Sequence, residues 1–183
     1  MSGIHARGTA RRVQSQGNHD VPCALFLQGP TGIYLIDPAH STIGLSVRHT
    51  MTAEVRGAFT AFEGLLKLDG SRPTRSEAYF SVQTGSLETG VPERDAQVTG
   101  PDFLDSATLP LMSFRSTEVL RADGRFRMAG HLRIKDVEAP ADLDLEFGGT
   151  SLDAYGQHRV RWAGTAVSTT VKLVLDVCAV LRG

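Results

Sequence analysis

No run of about 18 apolar residues occurs in this 183-residue chain, so it encodes no transmembrane helix. Nor does the N-terminal stretch read as a secretory leader. Arg11 and Arg12 imitate a basic start, but the polar run Gln14–Asp20 follows them, and the apolar stretch Val21–Leu27 is short and holds Pro22. The cytoplasm is the expected address. Excess charge of one sign is also absent: 19 Lys and Arg face 20 Asp and Glu, a net charge of −1, which gives no reason to expect nucleic acid or an anionic membrane as partner. Cysteine is scarce. Cys23 and Cys178 stand far apart in no Cys-x-x-Cys pattern, and the sequence leaves open whether they pair or stay as half-buried thiols in a reducing compartment.

Recognisable catalytic patterns are lacking too. The six histidines (His5, His19, His40, His49, His131 and His158) make no His-x-His, His-x-x-x-His or His-Glu-x-x-His spacing, so no metal site is expected. There is no Gly-x-Ser-x-Gly elbow for a serine nucleophile. Gly148-Gly149 lacks the Lys-Ser/Thr that would follow in a phosphate-binding loop. Neither an enzyme nor a cofactor is expected.

What the chain has is glycine, at 19 residues, and a period of two. Ile43, Leu45 and Val47 alternate with Thr42, Ser46 and Arg48. Phe62, Gly64, Leu66 and Leu68 share one face, as do Ala78, Phe80 and Val82. Phe126, Met128, Gly130, Leu132 and Ile134 alternate with Arg127, His131 and Arg133. Leu143, Leu145 and Phe147 alternate with Asp142, Asp144 and Glu146, and Val171, Leu173, Leu175 and Val177 with Lys172 and Asp176. One apolar and one wet face per strand is the signature of an antiparallel sheet around a single core. Asp69-Gly70-Ser71, Asp123-Gly124, Gly148-Gly149 and Asp153–Gly156 read as turns between the strands. Pro92–Asp105 breaks the pattern; its charged Glu93–Val98 stretch suits one or two helical turns crossing one end of a barrel. Seven or eight such strands make a sandwich or a barrel. Glycines inside strands (Gly44, Gly57, Gly64, Gly130, Gly164) favour the barrel, because coiled strands need bends and close approaches. Residues 1–20 read as a loose polar tail. Residues 21–32 can add one short strand at Ala24–Leu27, and 33–183 form a single domain.

Several segments, in order, resemble the YceI-like family. They are Tyr34–Ser41 (Tyr-Leu-Ile-Asp-Pro-Ala-His-Ser) with Ile43–His49, Val55–Phe59 with Phe62–Gly64, and Ser86–Gly90 with Glu93–Asp95. Then come Asp102–Asp105, Leu109-Pro110 with Ser113–Thr117, and Gly130–Ile134 with Ala139-Pro140. The resemblance covers residues 33 to about 165, and Val171–Arg182 is similar to the family's last strand. It implies an all-β fold: an extended, lipocalin-like antiparallel barrel of about eight strands with a short helical crossover. It also implies binding of an isoprenoid, an isoprenoid quinone or another long-chain lipid, a homodimer, and no catalysis; relatives are often exported. The chain departs from the family twice. A charged hairpin before the last strand is missing, so Trp162–Thr170 runs almost straight into it. Lys135-Asp136 and His131-Leu132-Arg133 stand where a glycine and a Leu-Thr pair are common.

The inward aromatic and branched set is Ile43, Leu45, Val47, Phe59, Phe62, Phe80, Phe114, Phe126, Phe147 and Trp162. Read by pattern alone, it is a filled core; the resemblance makes it the wall of a lipid tunnel. For a head group at the mouth, the candidates are His40, His49 and Arg94. Equally, Asp37 and His40 can cap a turn, and Arg94 with Asp95 can anchor the crossover. Two readings follow: a non-catalytic carrier or store of lipid, or a filled barrel acting as a dimeric interaction module.

Overall fold

Period-two alternation sets these residues into strands. The computed structural model describes residues 29–49, 53–122, 125–167 and 171–183, and these contain eleven strands and one α-helix. The strands are β1 (Gly32–Ile36), β2 (Thr42–His49), β3 (Ala53–Phe59), β4 (Phe62–Leu68), β5 (Glu77–Gln83) and β6 (Leu87–Glu88). Helix α1 (Pro92–Thr99) follows, then β7 (Leu111–Ala122), β8 (Arg125–Ile134), β9 (Val137–Leu152), β10 (His158–Val167) and β11 (Val171–Leu181). Eight of them close an antiparallel barrel in the order β1-β4-β5-β7-β8-β9-β10-β11, with β11 returning to β1. The other three, β2, β3 and β6, form a leaf that continues from β11.

β11 therefore carries two partners along one edge. Near its end Tyr34–Ile36 of β1 lie against Ala179–Leu181; nearer its start Thr42–Val47 of β2 lie against Val171–Asp176. Between them the chain makes one 3-10 turn, Pro38–His40, started by Pro38 and capped by the Asp37 carboxylate, which accepts from the Ala39 N–H at 3.0 Å. The Cys178 backbone closes the gap. Its carbonyl accepts from the Asp37 N–H (2.8 Å) and from the Ser41 hydroxyl (3.0 Å), and its N–H donates to Ser41 Oγ (2.9 Å).

The two ends of the barrel differ. At one end lie the start of β1, the β4–β5 loop, the end of β7 and the β9–β10 hairpin. At the other lie the β8–β9 hairpin, the start of β7, and the leaf. α1 crosses this second end. Pro92 opens the helix and Glu93 and Asp95 sit in its first turn, where the helix dipole favours acids. Val98, in the helix, and Leu104, just beyond it, pack on the core. Lys135 Nζ donates to the Pro101 and Phe103 carbonyls (3.5 and 3.0 Å). Lys135 holds the left-handed conformation (φ 57°) in the tight β8–β9 connection. Glycine would adopt it without strain; the lysine ties the crossover down.

The core is thick at the α1 end. Ile43 and Val82 are fully buried and Phe114 is 1% exposed, with Phe59, Leu87, Met112 and Leu173 around them. Phe114 stacks on Phe80, ring centroids 5.3 Å apart, a contact worth about 0.5–1.5 kcal/mol beyond burial. Gly130 makes room for the Phe114 ring: a Cβ there would sit 2.5 Å from it and 2.4 Å from the Arg115 carbonyl.

The alternation was legible almost throughout, and the helical crossover falls where it was expected. Gly148-Gly149 is a correction. It is not a turn between strands but lies inside β9, where the register against β10 slips between Arg161 and Trp162. Gly149, at φ 109°, supplies the left-handed residue of this bulge, and bulges bend a strand without ending it. The expected tail, the strand at Ala24–Leu27 and the Asp123-Gly124 turn lie outside the described residues.

Candidate functional site: an apolar cavity at one end of the barrel

Away from α1 the barrel is hollow. A cavity of about 300 Å³ opens between the β4–β5 loop, the residues leading into β1 and the end of β7. Its wall is built from inward positions of all eight barrel strands. β4 and β5 give Leu66, Leu68, Ala78 and Phe80; β8 and β9 give Phe126, Met128, Leu143, Leu145 and Phe147; β10 and β11 give Trp162, Leu175 and Val177. Ile36 and Val119 complete it. Each strand contributes every second residue, as the pleat requires.

Three aromatics gather on one side. The Trp162 indole meets Phe126 edge to face (centroids 5.1 Å, 82°) and Phe147 at a tilt (4.8 Å, 48°). Trp162 Nε1 is buried and donates to no partner, the one buried side-chain polar atom among the described residues of this wall left unsatisfied. Next to the aromatics, Tyr34 is packed among Leu68, Val160 and Ala179, and burial pushes its phenol above the usual range.

The rim is polar. Arg121 reaches over the Phe126 ring, 5.5 Å from its centroid. Asp69 Oδ1 accepts from the Ser71 hydroxyl (2.7 Å) and from the Ser71 and Arg72 N–H groups (3.1 and 2.8 Å), and these bonds, the hydroxyl first, hold its carboxyl below the usual range. Ser76 Oγ accepts from the Asp69 N–H (3.1 Å), and Thr31 Oγ1 from the Gly70 N–H (2.9 Å). The loop is thereby tied both to itself and to the segment that leads into β1.

Of the residues expected to hold a ligand, Phe80, Phe126, Phe147 and Trp162 line this cavity. Ile43, Phe59 and Phe114 are buried beyond its floor, and Leu45 and Phe62 pack half-buried against that same core. The side chains of Val47 and His49 lie outside the described residues. His40 is not at the mouth: it is exposed on the outer surface, Nδ1 2.8 Å from Asp37 Oδ2. Arg94 is also elsewhere. It donates to Thr89 Oγ1 (2.7 Å) and to the Thr89 carbonyl (2.9 Å), while Asp95 accepts from the Thr89 N–H (2.8 Å), so both residues clamp α1 to β6.

The lining residues Leu66, Met128, Leu143, Leu145, Leu175 and Val177 carried the alternation signal without being singled out for binding. Arg121 carried none; its place on the rim follows from the β7–β8 register alone.

Apart from Asp69 at the rim, a group of perturbed charges lies on the outer face. Arg159 lies between Asp37 Oδ2 (2.6 Å) and Asp153 Oδ2 (3.1 Å), with Cys178 Sγ at 3.7 Å. Arg159, before His40, holds the Asp37 carboxyl below its usual range. The Gln157 N–H does the same for Asp153, helped by Tyr155 and Arg159, and Arg159 itself is raised above its ordinary value. These groups pin the β9–β10 hairpin to the turn after β1. They do not face the cavity. Among the described residues no three His, Cys, Asp or Glu side chains gather as a metal site would need.

The YceI-like domain pattern matches residues 34–178. The chain belongs to the YceI-like family. A UPF0312 protein of Vibrio cholerae is 31% identical over 135 residues, which span 72% of this chain and 71% of that relative. Among solved structures, BcnA of Burkholderia cenocepacia superposes with a TM-score of 0.67 at 18% identity, covering 80% of this chain and 99% of that one. A polyisoprenoid-binding domain from Saccharophagus degradans superposes with a TM-score of 0.57 at 13% identity, covering 81% and 98%. These likenesses give the YceI-like chain its lipocalin-like barrel.

Proposed function

We propose that this YceI-like protein binds an isoprenoid or similar lipid in its barrel and carries or stores it without transforming it. The observation that supports this is the hollow half of the barrel, lined almost wholly by Leu, Val, Phe, Met and Trp side chains and ringed by polar groups only at the mouth. An apolar tail placed there gains roughly 0.8 kcal/mol per carbon, or about 4 kcal/mol per isoprene unit. A few units offset an association cost of ~4–15 kcal/mol. The polyisoprenoid-binding neighbour supports the same ligand class. Catalysis needs titratable groups facing the substrate; the displaced carboxylates Asp37 and Asp153 sit outside, and Asp69 at the rim is engaged by Ser71 and Arg72 of its own loop. The packed half around Ile43, Val82 and Phe114 favours the second reading, a filled barrel serving as an interaction module.

Organic extraction of the purified native protein, followed by mass spectrometry, separates the two. A stoichiometric lipid supports the carrier. Apo-protein that also takes up no added prenyl lipid leaves the interaction module.

A further inference from the structure

We infer that the ligand chain is short, about two to three isoprene units, because the barrel is hollow for only part of its length. This inference rests on the lipid-binding reading above and adds a length limit to it. The first observation is volume. At about 300 Å³ the cavity stands at the small end of ligand pockets, which run from about 300 to 1,000 Å³.

The second observation is depth. Along β9 the wall runs from Leu143 to Phe147, four residue steps. These cover about 13 Å at a strand rise of ~3.3 Å per residue, and about 10 Å along the axis at the usual barrel tilt.

The third is the floor. Phe80 borders the cavity, and Phe114, its direct partner on β7, stacks on it and is 1% exposed. The Phe114 ring is held from the far side by the backbone at Gly130. Behind the two rings, the β2–β3–β6 leaf and α1 close the end with Ile43, Phe59, Leu87 and Val98. A long polyprenyl chain meets this plug after its first few units, and the rest of it stays in water.

The test loads the full-length protein with an equimolar mixture of the short prenol farnesol and the long prenol solanesol from phosphatidylcholine vesicles. The repurified protein is extracted and the bound ratio read by mass spectrometry. The same is done for Phe114→Ala, which gives the Phe80 ring room to swing, and for the milder Phe114→Leu. Comparing ratios between proteins cancels the different vesicle affinities of the two prenols. The expected result is farnesol almost alone in the wild type and a shift toward solanesol of tenfold or more in Phe114→Ala, smaller in Phe114→Leu.

Solanesol loaded as readily as farnesol by the wild type overturns the length limit and leaves the lipid reading standing. An unchanged ratio in a folded Phe114→Ala protein overturns the limit as well. Should that variant not fold, Phe114→Leu and the wild-type ratio still decide. If neither prenol loads, the lipid reading fails and the length limit with it.

Discussion

Ala78→Phe should close the cavity without unfolding the barrel. Ala78 lies on β5, pairs with Leu66, and points between the mouth and Phe80. Its N–H donates to Ser116 Oγ at 2.8 Å, a bond the substitution leaves in place. The new ring adds six carbons to a space of about 300 Å³, and it displaces about five carbons of any tail lying there. At ~0.8 kcal/mol per carbon the loss is about 4 kcal/mol, and at 1.4 kcal/mol per tenfold it is roughly a thousandfold in affinity. Filling a void also removes its cost to the apo-protein, so the thermal midpoint should hold or rise. The chain has one tryptophan, Trp162, and it is in the wall. Its fluorescence therefore reports a farnesol titration directly, and the melting curve reports the fold. A folded Ala78→Phe protein that binds farnesol within threefold of the wild type would refute the placement of the tail against β5.

Three further outcomes are expected. Gly130→Ala forces a methyl group against the Arg115 carbonyl and the Phe114 ring, and chemical denaturation should show a loss of about 1–3 kcal/mol; an unchanged midpoint would mean that β7 and β8 are not this close. The Asp37 and Asp153 carboxyls are held below the ordinary aspartate value of about 3.9. The stability they add is thus complete above pH 4 and fades as the pH falls through their lower native values, since the unfolded chain takes up protons first. Asp37→Asn should accordingly be less stable than the wild type at pH 7, and the gap between the two stability curves should narrow as the pH falls below about 4. Parallel curves would show that Asp37 adds nothing. Lys135→Gly relieves the φ 57° strain and removes the two bonds to Pro101 and Phe103. Amide exchange in the segment around 98–106 should then speed up while that of β8 and β9 stays slow, and uniform protection in both proteins would mean that the lysine does not hold the crossover.

The sequence told inside from outside well and told depth poorly. Ala78, Phe80 and Val82 were read as one inward face, and all three are buried. Yet Ala78 and Phe80 border a cavity and Val82 belongs to the solid core. The period of two cannot separate them, because it names a face and not a level along the axis; the level follows from strand pairings far apart in sequence. Ile43, Phe59 and Phe114 were grouped with Phe126 and Trp162 for the same reason. His40 and Arg94 were placed at a mouth because they flank strands and carry the right chemistry, but short local bonds to Asp37 and Thr89 hold them elsewhere. Gly148-Gly149 carries the composition of a turn, and only the continued pairing of β9 with β10 shows a bulge.

β11 joins β1, β2 and β10, so one late segment holds both the barrel and its leaf together. Until residues 171–181 have been synthesised, the other seven barrel strands form at most an open sheet with two free edges and an uncovered apolar face. Contacts of this sequence separation form slowly. A ribosome-bound chain that ends before Val171 thus has no cavity to fill, and for the time it takes to add one strand it is a substrate for aggregation rather than a receptor for lipid.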